Sequence, residues 1–267
     1  MLIDFHTHIF PDKIADTILA GTEASTGLPA KFEGTERGLR QHMARSGTDL
    51  SVVLAVAPSA MFVKKVNDWL LSIRDEHIEV FGAIHPDLED WPEELVKLQR
   101  AGIRGIKFNS LFQKLRPDDQ KLYPIYQAMV NLKLTALFHA GASFKDRHNL
   151  YRVLASPQSI ARVAQDFPQL KVIAAHYGGN HMLEQMKKHL LGKDVFFDTA
   201  YPPDLFALDR QEVADIIRAH GPKKILFGTD FPWETQDRGI AYIESLPLTR
   251  QEKEIILGGN AQQILFG

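Results

Sequence analysis

The 267-residue chain has no cysteine. That excludes disulfides, thiolate zinc sites and cysteine nucleophiles together, so any metal must be held by histidine and carboxylate. It also lacks a charge excess: 31 Lys+Arg stand against 33 Asp+Glu, a net charge of −2. Nothing in that balance draws it to nucleic acid or to an anionic membrane. Long apolar runs are missing too. The densest, Ser51–Pro58, falls far short of the about 18 residues that span a bilayer. The opening Met1-Leu2-Ile3-Asp4 has no basic segment leading into an apolar stretch, so it does not read as a signal peptide. The expectation is a soluble, cytoplasmic protein acting on a small molecule, with no nucleic-acid or membrane partner and with self-association left open.

Short runs rich in β-branched and aromatic residues recur eight times. They are Leu2–His8, Ser51–Ala57, Val80–Pro86, Gly105–Ser110, Leu134–Ala140, Lys171–Tyr177, Val195–Tyr201 and Ile225–Phe231. Most are continuous apolar stretches, as expected of parallel strands covered on both faces. Helix punctuation lies between them. Ser156-Pro157 starts a helix running to about Phe167, and Asp209–Glu212 and Thr249–Glu252 have capping-box spacing. Gly102 and Gly221 stop helices in left-handed caps, and Asn260 caps a last helix, Ala261–Leu265. No linker or composition shift interrupts the alternation. Eight strand–helix units of this length predict one domain, residues 1–267, folded as an α/β (β/α)8 TIM barrel. An open doubly wound sheet would carry a glycine-rich turn after its first strand, where this chain has His6-Thr7-His8-Ile9-Phe10-Pro11.

Unusual polar residues end the strands: His6-Thr7-His8, His139, His176 and Asp230. In a barrel these ends ring one mouth, where residues distant in sequence converge. His6 and His8 are two apart, so on a strand they share a face. With 11 histidines in the chain, chance alone gives roughly half of one such pair. Five coincidences at one mouth are another matter, because a buried imidazole needs partners for both ring nitrogens. Three neutral histidines and a carboxylate suit Zn2+ with one position open. His42, His77, His148, His181, His189 and His220 have polar, helical neighbours and read as ordinary surface or hydrogen-bonded residues; His85, followed by Pro86, is left out of the site.

The ordered set resembles the amidohydrolase superfamily of metal-dependent barrel enzymes. More narrowly, it is similar to the amidohydrolase-related branch that includes the aminocarboxymuconate-semialdehyde-decarboxylase-like enzymes. Ile3–His8, Gly105-Ile106-Lys107-Phe108, Phe227–Pro232 and Leu257–Ala261 carry the resemblance along almost the whole chain. It implies one divalent metal ion, most simply Zn2+, held by His6, His8, His139 and Asp230, with Asp230 and His176 handling protons. In binuclear members a strand-4 lysine is carboxylated and bridges two metals. Lys107 stands at that place, and a second metal on a carboxylated Lys107 is the less favoured reading beside a lysine that binds an anionic substrate group. Asn109, Tyr177 and Trp233 are candidate substrate contacts. The loops Pro11–Gly47 and Asn180–Asp194 are where specificity is expected. The leading expectation is a metal-dependent hydrolase of a small cyclic ester, lactone or amide that uses activated water. The alternative is a metal-dependent, non-oxidative decarboxylase of a small unsaturated or aromatic acid. A barrel that has lost its chemistry is disfavoured because every ligand position is filled.

Overall fold

A computed structural model describes residues 1–267. Eight parallel strands stand side by side in chain order: β1 (Ile3–Thr7), β2 (Leu50–Leu54), β3 (Ile78–Ala83), β4 (Gly105–Phe108), β5 (Thr135–Phe138), β6 (Val172–Ala174), β7 (Phe196–Asp198) and β8 (Ile225–Leu226). The seam between β8 and β1 is joined by a parallel bridge between Thr7 and Phe231 and by Phe5 N–H donating to the Phe227 carbonyl at 2.7 Å. With helices between successive strands, this is the expected (β/α)8 TIM barrel. No helix is long and apolar enough to cross a membrane.

Strand alternation sorts the core into two layers. Leu137, Ile173 and Leu226 point into the barrel with Ile3, Phe5 and Phe81, while their neighbours Ala136, Phe138, Val172, Ala174, Ile225 and Phe227 pack outward under the helices. The inner layer ends at the helix Asn260–Phe266, whose Ala261, Ile264 and Leu265 join it. Strict alternation would send His6 outward, since Ile3 and Phe5 point in. The β1–β2 register shifts between Asp4 and Thr7, and this irregularity brings the histidines to the inside.

All eight expected strands are present, but most are shorter at their C-terminal ends. In β6 the chain leaves the ladder because His176 and Tyr177 adopt left-handed φ of 60° and 51°. In β8 it leaves after Leu226, where the Phe227 N–H turns to the Ile256 carbonyl at 3.0 Å. The helix Pro157–Asp166 starts as expected, with the Ser156 hydroxyl accepting from Ser159 N–H. Thr249 and Glu252 form the full capping box, whereas Asp209 makes only its own half, accepting from Glu212 N–H at 2.8 Å. Two expectations need correction. Gly221 has φ 105° and ψ 113°, outside the left-handed helical region, because the chain passes straight into the turn Pro222–Lys224. Asn260 is no cap: Arg250–Phe266 runs on through a π-helical segment, Ile255–Gly259, and the Asn260 amide donates to the carbonyls of Pro222 and Ile225 at 2.8 and 2.7 Å. The region Pro11–Gly47 is not simply loop. It holds the helices Ala15–Thr26 and Glu36–Ser46.

Candidate metal centre

His6 and His8 lie at the barrel mouth with their tautomers fixed from behind. The His6 Nδ1–H donates to the Asp198 carboxylate at 2.7 Å, and the His8 Nδ1–H donates to the Leu54 carbonyl at 3.0 Å. Each Nδ1 therefore carries the ring proton and each Nε2 is left as an acceptor, the His6 one beside the Lys107 ammonium at 3.2 Å. These two Nε2 atoms are 3.2 Å apart, and each is 3.4 Å from Asp230 Oδ1. Two lone pairs and a carboxylate oxygen at such spacing repel one another unless a cation sits among them. Donors held about 2.0–2.1 Å from one tetrahedral ion stand about 3.3 Å apart. The residues present therefore fit a divalent ion.

Burial keeps the imidazoles neutral, as metal ligation requires. It is the largest cause holding His6, His8 and His176 well below the ordinary histidine range and His139 at about 3, with the Lys107 charge adding to it in each case. Burial also raises the Asp230 carboxyl to about 7, against a lowering by Lys107. Asp230 has φ 62° and its N–H donates to the His6 carbonyl at 2.7 Å, so a strained turn aims it across the seam.

Donor atoms lie within 4.8 Å of one another in two groups, His6, His8 and Asp230, and His6, His176 and Asp198, and His139 joins neither. It belongs to a relay instead. The His176 Nδ1–H donates to the Ala200 carbonyl at 3.2 Å, and its Nε2 accepts from His139 Nδ1–H at 2.9 Å. That leaves His139 Nε2 buried, unprotonated and without a partner, a free donor facing the same cleft. Both nitrogens of His176 are occupied.

Two carboxylates that support the site escaped the sequence reading. Asp198, at the end of β7, holds His6 through one oxygen and accepts from the His176 N–H at 2.8 Å through the other. Asp4 accepts from the N–H groups of His6 and Thr229 at 3.1 and 3.0 Å and from the Thr229 hydroxyl at 2.6 Å, tying β1 to the Asp230 turn. Each is a carboxylate inside an apolar run, the same signal that singled out Asp230.

Lys107 is buried, and its Nζ donates to His6 Nε2 at 3.2 Å. Burial lowers it to about 8, although Asp198 and Asp230 favour its charge. Asn109 and Trp233 line the cleft. The Asn109 Oδ1 accepts from Leu111 N–H at 3.2 Å, and the Trp233 indole N–H donates to the Leu28 carbonyl at 3.2 Å. Tyr177 is not brought to the cleft: its left-handed backbone turns it into the outer core beside Tyr201. His85 stays outside as well, accepting from Asp87 N–H at 3.2 Å. Above the donors opens a narrow cleft walled by Phe10, Leu28, Phe112, Phe144 and Trp233. Thr22, Thr26 and Leu28, from the region after β1, and Asn180, after β6, also line it, so both stretches expected to set specificity reach the site.

Solved structures share the fold across nearly their full length. A 2,6-dihydroxybenzoate decarboxylase from Rhizobium superposes with a TM-score of 0.73 at 17% identity, over 99% of this chain and 98% of that one. A 5-carboxyvanillate decarboxylase from Novosphingobium aromaticivorans, with bound manganese and 3-methoxy-4-hydroxy-5-nitrobenzoic acid, has a TM-score of 0.73 at 14% identity, over 99% and 97%. In sequence, a 2-keto-4-carboxy-3-hexenedioate hydratase from Sphingobium sp. is 29% identical over 181 residues, 55% of this chain and 50% of that protein. The chain thus spans about half the length of the curated relative it matches. These relatives correct the expectation of a hydrolase of esters, lactones or amides, because they are decarboxylases and a hydratase. The physical reason is that three histidines and an aspartate specify a metal's chemistry without specifying what it acts on. An amidohydrolase family model (Amidohydro_2) matches residues 3–267, and the chain belongs to that family of the metal-dependent amidohydrolase superfamily of enzymes.

Proposed function

We propose that residues 1–267 form one catalytic domain, a metal-dependent decarboxylase that removes CO2 without oxidation from a small unsaturated or aromatic carboxylic acid. The observation that carries this reading is the placement of Lys107. A buried ammonium stands beside the histidine donors in a cleft with apolar and aromatic walls. An acid with a flat apolar body fits both halves of that arrangement, with its carboxylate toward Lys107 and its body against Phe10, Phe112, Phe144 and Trp233. A neutral ester or lactone has no charge for the ammonium to meet.

His6, His8 and Asp230, with the free Nε2 of His139, would hold the ion. When bound, it supplies a Lewis acid that draws substrate oxygens into place and offsets negative charge. The donor set suits Zn2+, and the solved decarboxylase with manganese makes Mn2+ the other ion to test. Lys107 acts as an unmodified ammonium in this reading, with no second metal. As the carbon–carboxyl bond breaks, its electron pair stays on the substrate carbon, CO2 departs, and that carbon takes a proton. Asp230, at the end of the barrel beside the other donors, is the residue that delivers it. His176, with both nitrogens held, positions His139.

The test is incubation of the Zn2+- or Mn2+-loaded protein in D2O with aromatic and unsaturated acids, following CO2 and the deuterium content of the product. CO2 release with one deuterium at the vacated carbon is the expected result. No CO2 from any acid overturns it. The 29% identity to a hydratase supports a second reading, addition of water across a conjugated double bond, which would appear as loss of ultraviolet absorbance without CO2.

A further inference from the structure

The candidate metal donors lie under a cover. His6 and His8 are 1% and 6% exposed, and the cleft above them holds about 70 Å³ of free space, room for a few waters. Clefts that take a small-molecule ligand usually run to about 300–1,000 Å³. Part of what closes this one is the stretch Ala15–Gly34 after β1, which puts Thr22, Thr26 and Leu28 against it. Entry of a ligand larger than water needs room that the closed cleft lacks.

That stretch is held unevenly. In the helix Ala15–Thr26 only Ala15 is buried. The hydroxyls of Thr22, Ser25 and Thr26 donate to the carbonyls of Ile18, Gly21 and Thr22 at 2.9, 2.9 and 2.8 Å, so they are satisfied within the helix and do not tie it to the barrel. At its C-terminal end one hydrogen bond crosses to the loop after β5, from Lys145 N–H to the Thr26 carbonyl at 2.7 Å. Gly27, with φ 74°, then leads to contacts with the loop after β8. The hold is stronger there. The Trp233 indole N–H donates to the Leu28 carbonyl and Lys31 N–H to the Pro232 carbonyl, each at 3.2 Å. Phe10 N–H donates to the Gly34 carbonyl at 2.9 Å, and the Phe32 ring packs on His42 and Phe231.

A segment with few buried contacts and one lightly tied end is where a fold opens first. We propose that Ala15–Thr26 is a lid that opens at the Thr26–Lys145 contact, with Leu28–Gly34 as its fixed edge, and that this opening admits ligands to the candidate metal centre. Access is a separate matter from the reaction, so the lid stands or falls independently of the proposed decarboxylation.

The test needs neither ion nor substrate. Amide hydrogen exchange of the wild-type chain, followed by mass spectrometry, should show Ile18–Thr26 exchanging about 100-fold or more faster than the helix Pro157–Asp166, which buries Ile160 and Val163. A Cβ at Gly27 would stand 3.4 Å from the Lys145 Cβ, close to the about 3.5–4.5 Å of a disulfide, and the chain has no other cysteine. The double variant Gly27→Cys, Lys145→Cys therefore locks the lid once joined, by diamide or by a one-carbon bis-thiosulfonate. Its joined and reduced forms carry the same substitutions, so strain at the left-handed glycine position is common to both. Access is read on the metal-free chain as modification of His8 by diethyl pyrocarbonate, which attacks a neutral imidazole; His8 lines the covered cleft. Joining should slow both the exchange of the helix and the modification of His8 about 10-fold or more, and a phosphine reductant should restore both. Equal His8 modification in the two forms overturns the lid as the route of entry. Wild-type exchange of Ile18–Thr26 no faster than that of Pro157–Asp166 overturns the opening with no variant needed, and thiols that neither reagent joins overturn the contact on which it rests.

Discussion

His6 Nε2 and His8 Nε2 face each other across 3.2 Å, and neither has a proton to share. Such a contact is unfavourable in a metal-free protein and favourable around an ion. The purified protein is accordingly expected to retain about one equivalent of divalent metal per chain. His6→Ala, His8→Ala and Asp230→Ala should each lose it, measured by elemental analysis after gel filtration. About two equivalents would contradict the unmodified Lys107 and point to its carboxylation.

Asp198 touches the site only through His6 and the backbone of His176. Replacing it by Asn removes the charge that holds the His6 Nδ1–H. Metal affinity should fall about 10- to 100-fold, the usual effect of losing such a support. A chelator titration of Asp198→Asn against wild type reads this directly. Equal affinities would mean that the Leu54-held His8 and Asp230 dominate.

Lys107 sets a pH dependence. Burial lowers it to about 8, so the ammonium proposed to meet the substrate carboxylate is present below that pH and lost above it. KM for the acid should therefore rise as pH passes through about 8, with kcat less affected. In Lys107→Gln, KM should be high and flat between about pH 6.5 and 9.5. A wild-type KM that does not move would remove Lys107 from substrate binding.

Asp4 makes the fold itself pH-sensitive. Burial is the largest cause raising its carboxyl from 3.8 to about 7, so between those values the folded chain binds a proton that the unfolded chain does not. Its contribution favours folding at low pH and is lost as pH rises through about 7. Asp4→Asn keeps an acceptor for His6 and Thr229 and has no proton to lose. Urea denaturation of the metal-free proteins should show the variant gaining on wild type between about pH 4 and 8, by on the order of 3 kcal/mol. A constant difference would locate the proton elsewhere.

Asn260 ties the last helix to the chain entering β8. Asn260→Ala leaves two carbonyls without their donor, and the expected cost is about 2–3 kcal/mol in denaturant unfolding. A loss below about 0.5 kcal/mol would show that water replaces the amide.

What the sequence made legible follows from how each feature is encoded. Strands covered on both faces announce themselves as apolar runs, and a His or Asp closing such a run is conspicuous, so His6, His8, His139, His176 and Asp230 were visible. Asp198 closes an apolar run as well, but it lies outside the segments that carry the family resemblance. Tyr177 reads as a rim residue because it follows His176 at the end of an apolar run, and the left-handed backbone there turns it into the outer core instead. The substrate class lay furthest from view, since the ligand residues are indifferent to it.

The donors His6 and His8 come from the first strand and Asp230 from just past the last, and Asp4 binds Thr229 across a separation of 225 residues. The proposed metal centre is therefore a clasp on the final closure of the barrel. Contacts of such separation carry a large loop-closure entropy and form late, so a chain whose first and last strands have not met has no site to offer. Ion capture and ring closure then become one linked equilibrium, in which the metal's affinity for the closed seam is itself a share of the stability of the fold.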